Sequence, residues 1–231
     1  MRLKMSPSIR LSLFCCLSLS VMSVNFACQK KKETSLSENE TTISEPHLFF
    51  NKNVGGPIDS ATGNRWKRNF EQSLSRKMPS AVTTRTFLLP AAALKSLIAS
   101  NKVSGICFYF GEDSNGNTHV VPVAVDVKGN VVTDAIAFTS NGQVSWEQAK
   151  QWRLNFKQQH PKSIWGHFWG SVAVERLLAS GTETVRVELG LNDEGAQQMM
   201  FSAAEVQEPV EYGDRTRTCP PFCPSDMQSS F

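Results

Sequence analysis

Trp66-Lys-Arg-Asn-Phe70 recurs as Trp152-Arg-Leu-Asn-Phe156. In both stretches the aromatic residues stand four apart, which places them on one face of a helix. Further matches follow in the same order. Leu97-Ile98-Ala99-Ser100 recurs as Leu177-Leu178-Ala179-Ser180, Phe110-Gly111 as Leu189-Gly190, and Asn115-Gly116 as Glu194-Gly195. The period is roughly 80 residues, longer than the roughly 20–50 of stacked repeats. The pattern therefore reads as a duplicated half-domain, Trp66 to Asp126 and again Trp152 to Val206.

Each copy reads as an aromatic helix, a shorter helix and two strands. Ser145 with Gln148 makes a capping box ahead of the second aromatic helix. Pro90 suits a first helical turn, with Leu94, Leu97 and Ile98 as the apolar stripe; Val174, Leu177 and Leu178 match them, and Gly181 ends that helix. Val185, Val187, Leu189 and Leu191 alternate with Arg186, Glu188 and Gly190, the mark of a strand buried on one face. Ile106 to Phe110 is apolar on both faces, which predicts a more central strand. Pro122 pushes the return strand Val120 to Val125 to an edge or a bulge. Ser73 to Thr86 reads as a loop, Val131 to Phe138 as a third strand unique to the first copy, and Thr139 to Gly142 as the link between copies. The fold class is α+β: two similar helix-helix-strand-strand halves forming a mostly antiparallel sheet with helices packed on it. The duplicated domain covers 58–208, with repeats at about 58–138 and 144–206, and 209–231 is a polar tail.

The first 27 residues read as a secretory signal, with Arg2, Lys4 and Arg10 ahead of an apolar run from Leu11 to Val24 that is too short and serine-rich to serve as a stable anchor. Removing those three cations from the 24 basic residues leaves 21 against 21 acidic ones, so a basic nucleic-acid-binding reading loses its support. The run ends in Val24-Asn25-Phe26-Ala27-Cys28, which resembles the bacterial lipoprotein box, with Asn25 departing from its usual small or apolar residue. The resemblance implies cleavage before Cys28 and acylation there. Several acyl chains anchor far more firmly than one. Gln29 after the cysteine resembles outer-membrane sorting in Gram-negative bacteria. Residues 28–57 read as a tether: Lys30, Lys31 and Lys32 lie over anionic headgroups or form a solvated charge run, and Thr34 to Glu45 has little to bury.

Chemistry is sparsely marked. Glu112 to Asn117 carries oxygens enough for calcium, but glycine comes fourth from Asp113 rather than sixth and Ala124 stands where a bidentate glutamate belongs, so it reads as a hairpin turn. His160 and His167 lack an adjacent carboxylate or cysteine and make a poor metal site. His47, His119, His160 and His167 are not tied by spacing to a nucleophile, and neither a Gly-x-Ser-x-Gly elbow nor a phosphate-cradling loop occurs. Cys107 reads as a small buried residue within a strand. Cys219 and Cys223 form the natural disulfide of an exported chain. Trp165 and Trp169 belong to an aromatic segment that is either core or a binding surface.

The run Gly105-Ile106-Cys107-Phe108-Tyr109-Phe110-Gly111, its acidic Asn-Gly turn and the terminal Cys219-Pro-Pro-Phe-Cys223 resemble a family of small uncharacterised Bacteroidota-type proteins. That resemblance implies a shared fold and the placement of the terminal cysteines, and transfers no catalytic residue, metal or cofactor. The expected protein is a lipid-anchored envelope component, attached to the membrane through its N-terminal lipid. It serves as a binding or interaction module with an envelope partner rather than as an enzyme. An envelope hydrolase with a spatially assembled site and a structural envelope component are the alternatives.

Overall fold

The computed structural model describes residues 49–76, 82–132, 136–207, 209, 211–214 and 216–228. The signal segment and Cys28 lie outside them. In chain order the elements are β1 (Gly56–Asp59), α1 (Ser60–Ser75), β2 (Thr86–Pro90), α2 (Ala91–Ile98), β3 (Gly105–Glu112), β4 (Thr118–Val125), β5 (Ile136–Thr139), β6 (Gly142–Ser145), α3 (Trp146–Gln159), β7 (Gly166–Gly170), α4 (Ser171–Leu178), β8 (Thr184–Leu191), β9 (Gln197–Ala203), β10 (Glu211–Asp214), β11 (Arg217–Cys219) and α5 (Ser225–Gln228). The α+β class holds. A strand separates the two helices of each copy, β2 in the first and β7 in the second, where the sequence suggested loops. Pro90 is the N-cap of α2 rather than part of its first turn.

These two inserted strands explain the architecture. The strands form a five-stranded sheet in the order β1-β10-β9-β8-β2, a four-stranded sheet in the order β11-β7-β3-β4, and the hairpin β5-β6. The single sheet expected from the sequence is therefore two sheets. Neither inserted strand joins the hairpin of its own copy. β2 pairs antiparallel with β8, Thr86 opposite Glu188 and Leu88 opposite Arg186. β7 pairs antiparallel with β3, Gly166 opposite Tyr109 and Phe168 opposite Cys107. The two registers are the same once the copies are aligned, so the exchange is reciprocal.

The aromatic helices are exchanged in the same way, and this explains the repeated motif. Trp66 of α1 packs over Gly190, where an added Cβ would lie 2.9 Å from the tryptophan Cβ; Trp152 of α3 packs over Gly111, where the corresponding distance is 3.1 Å. Asn69 Nδ2 donates to Leu191 O at 3.1 Å, and Asn155 Nδ2 donates to Glu112 O at 3.1 Å. Phe70 and Phe156 complete the motif in the core. Each helix starts on an equivalent cap: Asp59 Oδ1 accepts from Thr62 N at 2.8 Å and Ser145 Oγ from Gln148 N at 3.2 Å. The hairpin turns match as well. Asp113 Oδ1 accepts from the N–H groups of Asn115 and Asn117, as Asn192 Oδ1 does from Glu194 and Ala196. Gly116 and Gly195 take φ of 80° in both, a region that favours glycine.

The layers run helix, sheet, sheet, helix. Phe108 meets Phe201 at 4.6 Å and Phe110 meets Phe87 at 6.5 Å between the sheets, while α1 and α3 cover the outer faces. β3 is central and wholly buried, β8 is buried on alternate residues, and β4, with Pro122, is an edge strand.

Four readings change. The third strand is β5, and Val131 contributes a single bridge to Val125. β5 does have a counterpart: Thr139 pairs with Gly142 of β6 as Asp214 of β10 pairs with Gly56 of β1. Thr139 to Gly142 is thus the turn of a hairpin rather than a link between copies. The tail from 209 onward is structural. β10 joins the first sheet and β11 the second, and Tyr212, Cys219, Cys223 and Met227 are buried. The tether ends sooner than residue 57, because Phe50 packs edge-on against Phe168 and Phe49 stacks on Phe222. Among the described residues no helix is long and apolar enough to cross a membrane.

Candidate functional site

β7 carries Trp169 to the inner face of the second sheet, opposite Ile106. Its ring stacks on Phe201 at 4.4 Å and 13°, and Phe108 flanks it at 6.5 Å. Two glycines make room for the indole: an added Cβ would come within 2.0 Å of it at Gly55 and 2.3 Å at Gly213. Trp169 is 1% exposed and Trp165 4%, so the binding-surface reading of these two residues is corrected to core. Trp165 Nε1 donates to His160 O at 3.1 Å, which fixes it beneath the end of α3.

Trp169 nevertheless has a face on open space. A cavity of about 280 Å³ lies between α4 and the first sheet. Its walls are Pro57 from β1, Ala173 and Leu177 from α4, and Phe201 and Ala203 from β9. Arg176 stands at its rim and is exposed, as is Val206. The mouth is held in shape by Arg186, whose guanidinium donates to the carbonyls of Ala204 and Val206. The alternation of β9 puts Phe201 and Ala203 on the same side, and the small residue opens the space that the large one walls. Of the α4 residues lining it, Leu177 belongs to the apolar stripe Val174, Leu177 and Leu178 legible in the sequence, while Ala173 carries no sequence signal.

The polar clusters lie elsewhere. His119 Nε2 contacts Asp113 Oδ2 at 3.1 Å and its ring stacks on Trp152 at 4.3 Å. His160 Nε2 contacts Glu112 Oε2 at 3.0 Å. Sequence spacing missed both pairs, since the carboxylates stand at the end of β3 and His160 at the end of α3. The Asn117 amide, then its N–H, the His119 ring and the Asn115 N–H hold the Asp113 carboxyl well below the usual carboxylate range. Lys67 lies 2.7 Å from the Tyr212 hydroxyl and 3.3 Å from Glu188; burial opposes its charge, but these two partners prevail and raise its pKa. At the equivalent helix position Arg153, 1% exposed, donates to Asp226 Oδ2 at 2.7 Å and lies over the rings of Tyr109 and Trp146. Lys157 donates to Met227 O at 2.7 Å, so α5 covers both cations.

Cys219 and Cys223 are bonded, with Cα atoms 4.7 Å apart. Cys107 is buried and free, and burial pushes its thiol up to about 12, the inert state expected for a core cysteine. His167 lies between the sheets with Nδ1 2.8 Å from the Thr216 hydroxyl, and burial pushes its pKa down to about 3. Among the described residues no three His, Cys, Asp or Glu side chains converge as metal ligands. The cavity's lining is mostly apolar and, among the described residues, Arg176 is the one charged residue in it, so it can take an apolar body with a polar or anionic end toward Arg176. Neither family models, nor curated proteins, nor solved structures give a match to this chain.

Proposed function

We propose that this is an exported envelope protein, lipid-anchored at Cys28 to the outer membrane, that binds a compact apolar ligand in the cavity between α4 and the first sheet. The cavity itself carries the reading. It is an open pocket of about 280 Å³ whose rim carries the exposed Arg176, Ser180 and Val206 and whose walls are mostly apolar, a shape and lining that suit a small apolar body. Small-molecule sites are mostly apolar with a few placed polar groups, and Arg176 at the rim supplies one. The lipoprotein-like segment supports the anchoring, and it would place the cavity beside a membrane, where apolar molecules concentrate.

The test is a secreted Cys28→Ala form recovered without detergent and analysed by native mass spectrometry. An added mass of a small apolar molecule, lost in Ala203→Phe, is the expected result. A bare polypeptide mass that takes up no added 1-decanol would contradict the proposal. One observation favours a second reading, an envelope hydrolase: the half-exposed His160 ring is oriented by the buried Glu112 carboxylate. Hydrolytic activity of the purified protein, abolished in His160→Ala with ligand uptake intact, would establish it.

A further inference from the structure

The internal symmetry places the same strand edge in two different environments. In the second sheet, the outward-facing backbone of β7 is covered. β11 pairs with it antiparallel, Arg217 opposite Phe168 and Cys219 opposite Gly166, and Gly170 N donates to Val54 O at 2.8 Å. The corresponding edge in the first sheet belongs to β2, which ends that sheet. Leu189 N donates to Arg85 O and Ala91 N to Glu183 O, so alternate residues Arg85, Phe87, Leu89 and Ala91 face β8. Thr86 and Leu88, which align with Gly166 and Phe168, turn their N–H and C=O groups outward. Among the described residues these groups have no partner. Pro90 aligns with Gly170 and has no N–H to offer there. Leu88 is 50% exposed, unusual for a large apolar residue beside an open edge.

A groove of about 650 Å³ runs along this edge, lined by Thr84, Thr86 and Leu88 on one side and by Asn117, Thr118 and Asn141 on the other. Its far wall also explains why the two copies differ. After β10 the chain continues past Thr216 into β11, whereas after β5 it turns back at Ser140 and Asn141 into β6. The second copy thus lays its own chain along the edge, and the first copy does not.

We propose that the edge of β2 is a docking site for an extended segment of a partner protein, added antiparallel as a sixth strand in the manner of β11. The partner segment is uncharged and rich in hydroxyl and β-branched side chains, because the described groove lining is mostly threonine, serine and asparagine, with Phe87 and Leu88 as its apolar contacts. Main-chain hydrogen bonds supply affinity in this mode and alternate side chains supply specificity. The proposal is independent of the apolar cavity, which lies between α4 and the other end of the same sheet.

The probe is a fluorescein-labelled eight-residue peptide of alternating threonine and valine, titrated by fluorescence anisotropy into the Cys28→Ala full chain. Saturable binding is expected. It should be lost when alternate peptide amides are N-methylated, which removes the donors of one edge. Leu88→Pro should weaken it by about tenfold or more, because that N–H faces the groove and bonds nothing in β8. Leu88→Lys keeps the backbone intact and should also weaken it, and it carries the test should the proline variant fold poorly. Equal binding in both variants, equal binding of the methylated peptide, or no binding overturns the proposal. Sedimentation of the untreated protein as a dimer that Leu88→Lys dissociates also overturns it, because the occupant would then be a second copy of this chain.

Discussion

Acidification should destabilise this fold through His167 in particular. Its imidazole is fully buried between the sheets, with one described partner, the Thr216 hydroxyl, and Nε2 unpartnered among the described residues. Burial sets its folded pKa at about 3, against about 6.5 for an unperturbed histidine. The unfolded chain therefore binds the proton more readily. The neutral ring's contribution is fully present above pH ~6.5 and is lost as pH falls from there towards ~3, below which it changes no further. At pH 5 the unfolded state is favoured by about 1.5 pH units at ~1.36 kcal/mol each, or about 2 kcal/mol. The assay is urea unfolding of the wild type and of His167→Gln at pH 7.5 and pH 5.0. The glutamine variant keeps a hydrogen-bonding group but does not titrate, so every other group cancels in the difference. The wild type should lose about 2 kcal/mol more than the variant on acidification. Equal losses would refute the assignment of His167 as a buried neutral group.

Further outcomes follow from particular contacts. Asn69→Ala and Asn155→Ala should each cost about 1 kcal/mol in urea unfolding, by similar amounts, because each removes the same bond to a strand carbonyl. Gly190→Val should cost about 1–3 kcal/mol through overpacking against the Cβ and backbone of Trp66, and because alanine keeps those atoms Trp66→Ala should not recover that loss in the double variant. Replacing Cys219 and Cys223 by serine should cost about 2 kcal/mol or less and increase hydrogen exchange in β11 ahead of the rest of the second sheet. Cys28→Ala should abolish fatty-acid labelling and release the protein from the envelope; unchanged labelling would sink the lipid anchor.

The duplication was legible because its marks are local. Trp, Asn and Phe within one helix turn and a half recur together in equivalent surroundings. Trp66 and Trp152 set their Cβ atoms over glycines, Asn69 and Asn155 reach carbonyls, and Phe70 and Phe156 are buried. What the sequence could not convey is which copy's strand each helix covers, since a period reads the same whether copies pack on themselves or exchange. Ser73 to Thr86 reads as loop because it is polar and basic, whereas the strand that begins at Thr86 takes its character from pairing with β8, far along the chain. The tail looked solvent-facing because few of its residues are apolar, yet its backbone completes both sheets. The cavity was invisible for a similar reason. Pro57, Ala173, Phe201 and Ala203 come from three separate elements, and Trp169 can lie at its base because Gly55 and Gly213 leave space for the indole.

Isothermal titration of 1-decanol into the Cys28→Ala protein and into its Ala203→Phe variant, with matched melting curves, asks whether the cavity takes an apolar ligand. One saturable site is expected in the former and none in the latter, both proteins melting cooperatively. Identical heats from the two proteins, or no binding to either, would contradict the proposed binding.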